Sequence, residues 1–240
     1  SGQAQWSKPE KYLAPYRNIE LAHQLCEVGI FRSPDGNELA AIMRNQAHNG
    51  GSYISFSSDE GETWSEPKEL PASLTGERHK ALYDPISGRL VITFREIIQD
   101  FNNNDRIEPN DWMAGDWIAW VGTYEDLKFG KQGQYRILLG EDFTPNAKSG
   151  DTGYAGRIVL SDGTFVMDSY GVFTKEQARE IPTNTVHNIK WTASILGVRF
   201  KLSEIDKLLN LNNSIESADY SELEILSLTI PSDLSGYTED

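Results

Sequence analysis

Ser57-Ser58-Asp59-Glu60-Gly61-Glu62-Thr63-Trp64 is the stretch whose reading decides how this chain folds. It has the form S-x-D-x-G-x-T-W, and each fixed residue has a mechanical task. A strand ends at Phe56-Ser57, Asp59 accepts backbone N–H groups inside a tight turn, Gly61 tolerates positive φ, and Trp64 folds back onto the apolar side. These residues are expected to fix a hairpin and to touch no substrate, so function has to be sought elsewhere in the chain.

Outward from the octapeptide, short apolar or alternating runs bounded by Gly, Pro, Asn and Asp recur, the pattern of antiparallel hairpins. Strands at 26–32, 38–44, 52–57 and 68–70 make one four-stranded unit, with the turn Ser33-Pro34-Asp35-Gly36 between the first two. A second unit has strands at 79–83, 89–94, 117–124 and 135–139, with a long insertion from 99 to 115. A third has strands at 154–160, 164–170 and 190–200. The expected class is therefore all-β, a β-propeller with blade repeats at about 20–72, 78–140 and 152–202. Residues 202–210 read as the one short C-terminal helix, with Ser203 as its N-cap, and 223–230 as a final strand. A propeller closes with at least four blades, so three to four blades of a six-bladed ring are expected here. Trp6-Ser7-Lys8-Pro9 echoes Trp64-Ser65-Glu66-Pro67, as though the chain opens at the end of an earlier blade. The missing blades would come from an upstream segment, another chain or a second copy.

Composition removes several function classes. The 240 residues carry a net charge of −14, which argues against a nucleic-acid partner, since phosphate backbones call for a basic face. Cys26 is the single cysteine, so there is no intrachain disulfide. No run of 18 apolar residues occurs to span a membrane, and residues 1–6 lack the regions of a signal peptide. The four histidines show no metal-ligand spacing, and no phosphate-cradling glycine loop is present, so neither a metal nor any other cofactor is expected.

Glu27 opens an apolar inner strand, where a charge is costly to bury without a partner. Arg44, 17 positions on, ends the next strand. The two could form a purely structural pair or part of a site. This order of features, a glutamate, an arginine and then the S-x-D-x-G-x-T-W turn (the Asp-box, or BNR repeat), resembles the sialidase superfamily. By that resemblance Glu27 corresponds to the catalytic glutamate and Arg44 to one of three arginines that hold a substrate carboxylate. Asp151-Thr152-Gly153-Tyr154-Ala155-Gly156 is similar to the sialidase segment that bears the nucleophilic tyrosine, which implies Tyr154 in that role. A phenol of pKa about 10 needs a neighbouring base to attack, and Glu27 would supply it. Sialidases, with their tyrosine nucleophile, depart in this way from the two-carboxylate pattern of most glycosidases.

More narrowly, residues 74–79, 93–96, 115–126 and 194–206 resemble a bacterial sialidase-like group. That implies a central pocket lined by Arg78, His79 and Arg95, against the plainer readings of rim salt bridges and a structural histidine. Trp112, among the polar residues of the insertion, is a candidate to stack on a sugar face. Asp151 reads as a turn-former. The chain also departs from the pattern: the first arginine and the acid/base aspartate of the family have no counterpart here, and the strand expected to carry the third arginine bears Asp116. The resemblance implies a secreted or periplasmic bacterial protein whose partner is a glycan. Its function would be an exo-glycosidase acting on a terminal, acidic sugar, with a non-catalytic glycan-binding propeller or an interaction scaffold as the alternatives.

Overall fold

The computed structural model describes residues 8, 12–16, 20–99, 112–144, 151–179, 193–209 and 227–229. These are mostly β, arranged as three sheets with few helices. The first sheet is the antiparallel meander β1 (Leu25–Arg32), β2 (Leu39–Asn45), β3 (Tyr53–Ser57) and β4 (Lys68–Glu69). The second contains β5 (Gly76–Tyr83), β6 (Leu90–Gln99), β7 (Trp112–Gly122) and β8 (Tyr135–Gly140). The third contains β9 (Gly156–Val159), β10 (Thr164–Gly171) and β11 (Ser194–Lys201), with β10 central. A further strand, β12 (Ser227–Thr229), joins the second sheet in parallel beside β8, making it five-stranded. It lies within the run expected to form a final strand.

The octapeptide forms a hydrogen-bonded turn after β3. Asp59 accepts from the Thr63 backbone N–H at 2.9 Å and the Thr63 hydroxyl at 2.5 Å, while the Ser57 hydroxyl donates to Asp59 at 2.8 Å. Gly61 has φ +92°, and the Trp64 indole N–H donates to its carbonyl at 3.1 Å. These donors hold the Asp59 carboxyl below its ordinary pKa.

Strand periodicity explains how the sheets stack. Along β6, Leu90, Ile92 and Phe94 point into an apolar layer shared with Ala40, Ile42 and Ile54 of the first sheet. Val91 points the other way, into a layer with Trp117 and Ala119 that meets Phe165, Met167 and Phe200 of the third sheet. The second sheet is therefore buried on both faces. The third is covered on one face, and Ile158, Val166 and Ile195 stand exposed on the other.

The helices differ from expectation. α1 (Tyr124–Lys128) and α2 (Lys175–Arg179) are additional to the one helix expected. The Thr123-Tyr124-Glu125-Asp126 sequence encodes the first through a reciprocal capping box between Thr123 and Asp126, which ends β7 at Gly122 instead of Tyr124. α3 (Leu202–Leu208) is the expected helix, but its N-cap is Lys201 and not Ser203. Asp206 is drawn into a buried pair instead, receiving Arg89 at 2.9 and 2.6 Å and the Tyr135 hydroxyl at 2.9 Å. This pins α3 to the second sheet. Most of the expected insertion, residues 100–111, and most of the N-terminal echo lie outside the described residues.

Candidate functional site

Three strands carry a positive-φ residue near or just before their start. β1 and β5 each contain a bulge, placed by register shifts between Cys26 and Gly29 and between Glu77 and Lys80. The residue at each bulge adopts positive φ: +48° at Glu27 and +63° at Arg78. Just before β9, Gly153 takes φ +95°. Non-glycine residues are rarely found there, and the bulge turns their side chains out of the strand's alternation. Glu27 and Arg44 recur as Arg78 and Arg95, both 51 positions later (78 − 27 and 95 − 44).

These kinks assemble a closed ring of charged and aromatic groups. The Tyr154 hydroxyl donates to Glu27 Oε1 at 2.9 Å, across 127 positions of sequence. The same oxygen accepts from Arg44 at 2.9 Å. Arg44 Nε lies 2.8 Å from Glu77 Oε1, and Arg95 binds the other oxygen of Glu77. Arg95 then approaches Asp151 at 3.7 Å, Asp151 pairs with Arg78 at 2.5 Å, and the Arg78 guanidinium lies over the Tyr154 ring at 4.2 Å. That last contact is a cation–π geometry. His48, itself at φ +51°, adds its Nε2 to Glu77 Oε1 at 2.8 Å.

Burial divides the ring. The Glu77 side chain is 1% exposed, and those of Arg44, Arg78 and Arg95 are nearly buried. Tyr154 is 49% exposed and the Asp151 side chain 47%. The ring therefore has an inner, fixed half and an outer half that solvent reaches. Burial and the hydrogen bond to Glu27 push the Tyr154 phenol above its ordinary pKa, with Arg78 opposing, so the free protein holds it neutral. Glu27 Oε2 is buried and has no hydrogen-bond partner among the described residues.

Of the residues read from sequence, Tyr154, Glu27, Arg44, Arg78 and Arg95 come together. His79 does not join them. It is buried, its Nε2 meets the Leu74 carbonyl at 2.9 Å, and it stacks on Phe94 at 5.2 Å. Burial lowers its pKa to about 4, so it is a neutral packing residue and not part of a pocket lining. The reason is alternation: Arg78 takes the outward kink, and its neighbour turns inward. Trp112 begins β7, and nothing is described of its side chain. Asp151 is an ion-pair partner, more than the turn-former its neighbours suggest.

Glu77 is the residue that sequence reasoning missed. Like Glu27 it is a carboxylate near the head of its strand, and the 51-residue recurrence places it next to a second kink. A second acidic group lies on the same sheet. Asp116 accepts the Asp142 N–H at 2.7 Å, and burial, with Glu96, Asp142 and Glu141 adding, pushes its pKa up to about 6. Among the described residues no group of three or more His, Cys, Asp or Glu side chains is arranged to hold a metal ion. No described helix is long and apolar enough to cross a membrane.

A mostly β protein carrying a tyrosine–glutamate pair inside an arginine cluster is the class that fold and site define. No protein family and no curated protein sequence matches the chain. Similar solved structures include a Dyadobacter fermentans protein of unknown function, 16% identical over 74% of this chain and 38% of that one, with a TM-score of 0.49. The intramolecular trans-sialidase of Ruminococcus gnavus, in complex with oseltamivir carboxylate, is 18% identical over 74% of this chain and 33% of that one, with a TM-score of 0.44. The leech intramolecular trans-sialidase, complexed with 2,7-anhydro-Neu5Ac, is 17% identical over 76% of this chain and 24% of that one, with a TM-score of 0.45. The chain thus spans well under half the length of each.

Proposed function

We propose that this protein is a sialidase-like exo-glycosidase that removes a terminal, acidic sugar from a glycan, with Tyr154 as nucleophile and Glu27 as its base. The observation that carries the proposal is the 2.9 Å hydrogen bond from the Tyr154 hydroxyl to Glu27 Oε1. A neutral phenol is a weak nucleophile, and a carboxylate within hydrogen-bond reach is what activates it. In this scheme the phenol oxygen bonds to the anomeric carbon as the bond to the leaving group breaks, and the phenol proton passes to Glu27. The leaving oxygen takes a proton from an acid outside the ring, and water then hydrolyses the tyrosyl glycoside. Arg44, Arg78 and Arg95 orient the sugar's acidic group, and a neutral phenol meets that group at less electrostatic cost than a carboxylate nucleophile would.

We read the three sheets as blades of a β-propeller, with β1, β5 and β9 innermost. The exposed face of Ile158, Val166 and Ile195 fits this reading, because it is where a further blade would pack. The natural setting is a secreted or periplasmic one, where a glycan is met.

Incubating the full-length protein with fluorogenic sialosides and other acidic glycosides tests the proposal. Turnover that disappears in Tyr154→Phe is expected. Glycan-array binding without turnover would replace catalysis with recognition, and neither activity would leave the fold as an interaction scaffold.

A further inference from the structure

The ring holds as many carboxylates as guanidinium groups: Glu27, Glu77 and Asp151 against Arg44, Arg78 and Arg95. A seat for an anionic sugar needs uncompensated positive charge, so one of these carboxylates has to yield when substrate arrives. Glu77 is buried among its partners, and its movement would take from two nearly buried arginines the carboxylate they share. Glu27 is committed to the Tyr154 hydroxyl and Arg44. Asp151 differs from both. Its carboxylate is nearly half exposed, and its partners are all potential ligands for an incoming anion: Arg78 at 2.5 Å, Arg95 at 3.7 Å and the Tyr170 hydroxyl at 3.2 Å.

We propose that Asp151 is a specificity-determining residue of this site, a resident carboxylate that occupies the Arg78 and Arg95 seat until a sugar carboxylate displaces it. The backbone around it stays in place during the exchange. Thr152 is buried and its carbonyl accepts Arg78 at 2.6 Å, the Gly153 N–H donates to Ser169 at 2.8 Å, and a Cβ at Gly153 would come within 2.9 Å of the Arg95 nitrogen. Only the Asp151 side chain has to rotate, into water that already reaches it. A sugar without an acid has nothing to exchange for the aspartate and meets like charge if its own groups are acceptors. The residue therefore raises the threshold for every ligand and favours those with a full negative charge.

The inference rests on the reading of these arginines as the sugar-carboxylate seat, but its test needs no turnover. Sodium acetate is titrated into protein labelled with 15N at the arginine side chains, and the Arg78 and Arg95 resonances are followed by NMR in wild type and Asp151→Asn. Removing one partly exposed charge from beside two guanidinium groups is expected to tighten acetate binding about tenfold or more. Asp168→Asn, which alters an exposed carboxylate bonded to Gly156 on the same sheet, is expected to leave it unchanged. Asp151→Ser, compared by thermal melting, provides a second variant should the amide fail to fold. Unchanged or weaker acetate binding in both folded variants overturns the inference, as does acetate that moves neither arginine in any of the proteins. A chain that hydrolyses no glycoside but shows the tenfold gain contradicts the proposed enzyme and leaves the role of Asp151 standing.

Discussion

The bulge in β1 and the bulge in β5 are the same backbone event with opposite chemistry. At the first, Cys26 precedes a kinked glutamate, Glu27; at the second, Glu77 precedes a kinked arginine, Arg78. Each strand pairs with a neighbour that sets an arginine opposite the residue before the kink, Arg44 opposite Cys26 and Arg95 opposite Glu77. The repeat thus sets positions, while the residues in them differ in sign. Glu27 reaches forward to Tyr154, and Glu77 stays behind to hold both arginines. The two hairpins form a complementary pair, one kink presenting a carboxylate to the tyrosine hydroxyl and the other a cation over the tyrosine ring.

Substitutions at matched positions can break this comparison. Glu27→Gln removes the proposed base from the first kink and is expected to lower kcat/KM by roughly 10² to 10⁴-fold, the usual contribution of a general base. Arg78→Gln at the second kink is expected mainly to raise KM. Steady-state kinetics on any glycoside the protein hydrolyses separates the two, and equal kcat losses would show that the kinks are not specialised.

The residues just before the kinks should diverge in stability. Glu77→Ala leaves Arg44 and Arg95 facing each other in a buried setting and is expected to cost about 3–5 kcal/mol. Cys26→Ala, at the equivalent position, is expected to cost less than about 1 kcal/mol, because that side chain is partly exposed and makes one long contact to Gln46. Denaturant melts of both variants measure the gap. The third kink adds a smaller effect: Gly153→Ala forces a side chain into φ +95° against the Arg95 backbone and is expected to cost about 1–3 kcal/mol.

Asp116 gives a modest effect with a pH signature. Its folded pKa of about 6 lies above the ordinary carboxylate value, chiefly through burial. The folded protein binds this proton more tightly than the unfolded chain does, so the group's stabilising contribution is full below about pH 4 and is lost as pH rises through about 6. Asp116→Asn is expected to flatten the stability profile across that window and to gain on the order of 1 kcal/mol at neutral pH. An unchanged profile would mean that another group in the acidic neighbourhood carries the proton.

Much of the strand pattern is legible in the sequence because its signals are local. Apolar runs punctuated by Ser33-Pro34-Asp35-Gly36 and by the turn at Asp59 place β1 to β4 within a residue or two of the expected positions. The capping box at Thr123 is equally local, but the apolar run before it continues through Tyr124 and reads as a longer strand. The site is legible only in part. Tyr154, Glu27 and Arg44 follow from motif order, whereas the partners of Asp151 and the hub role of Glu77 depend on segments converging from 18 to 73 positions apart (95 − 77 and 151 − 78). His79 shows the limit from the other side, since a single register shift decides whether it or Arg78 faces the ring. No periodicity in a strand this short announces a bulge.

The direct test of the central claim is kcat/KM for fluorogenic sialosides and other acidic glycosides, measured for the full-length protein and for Tyr154→Phe under identical conditions. The Tyr154–Glu27 pair predicts turnover in the wild type and its loss by about three orders of magnitude or more in the variant. Turnover that survives the loss of the hydroxyl would contradict the account.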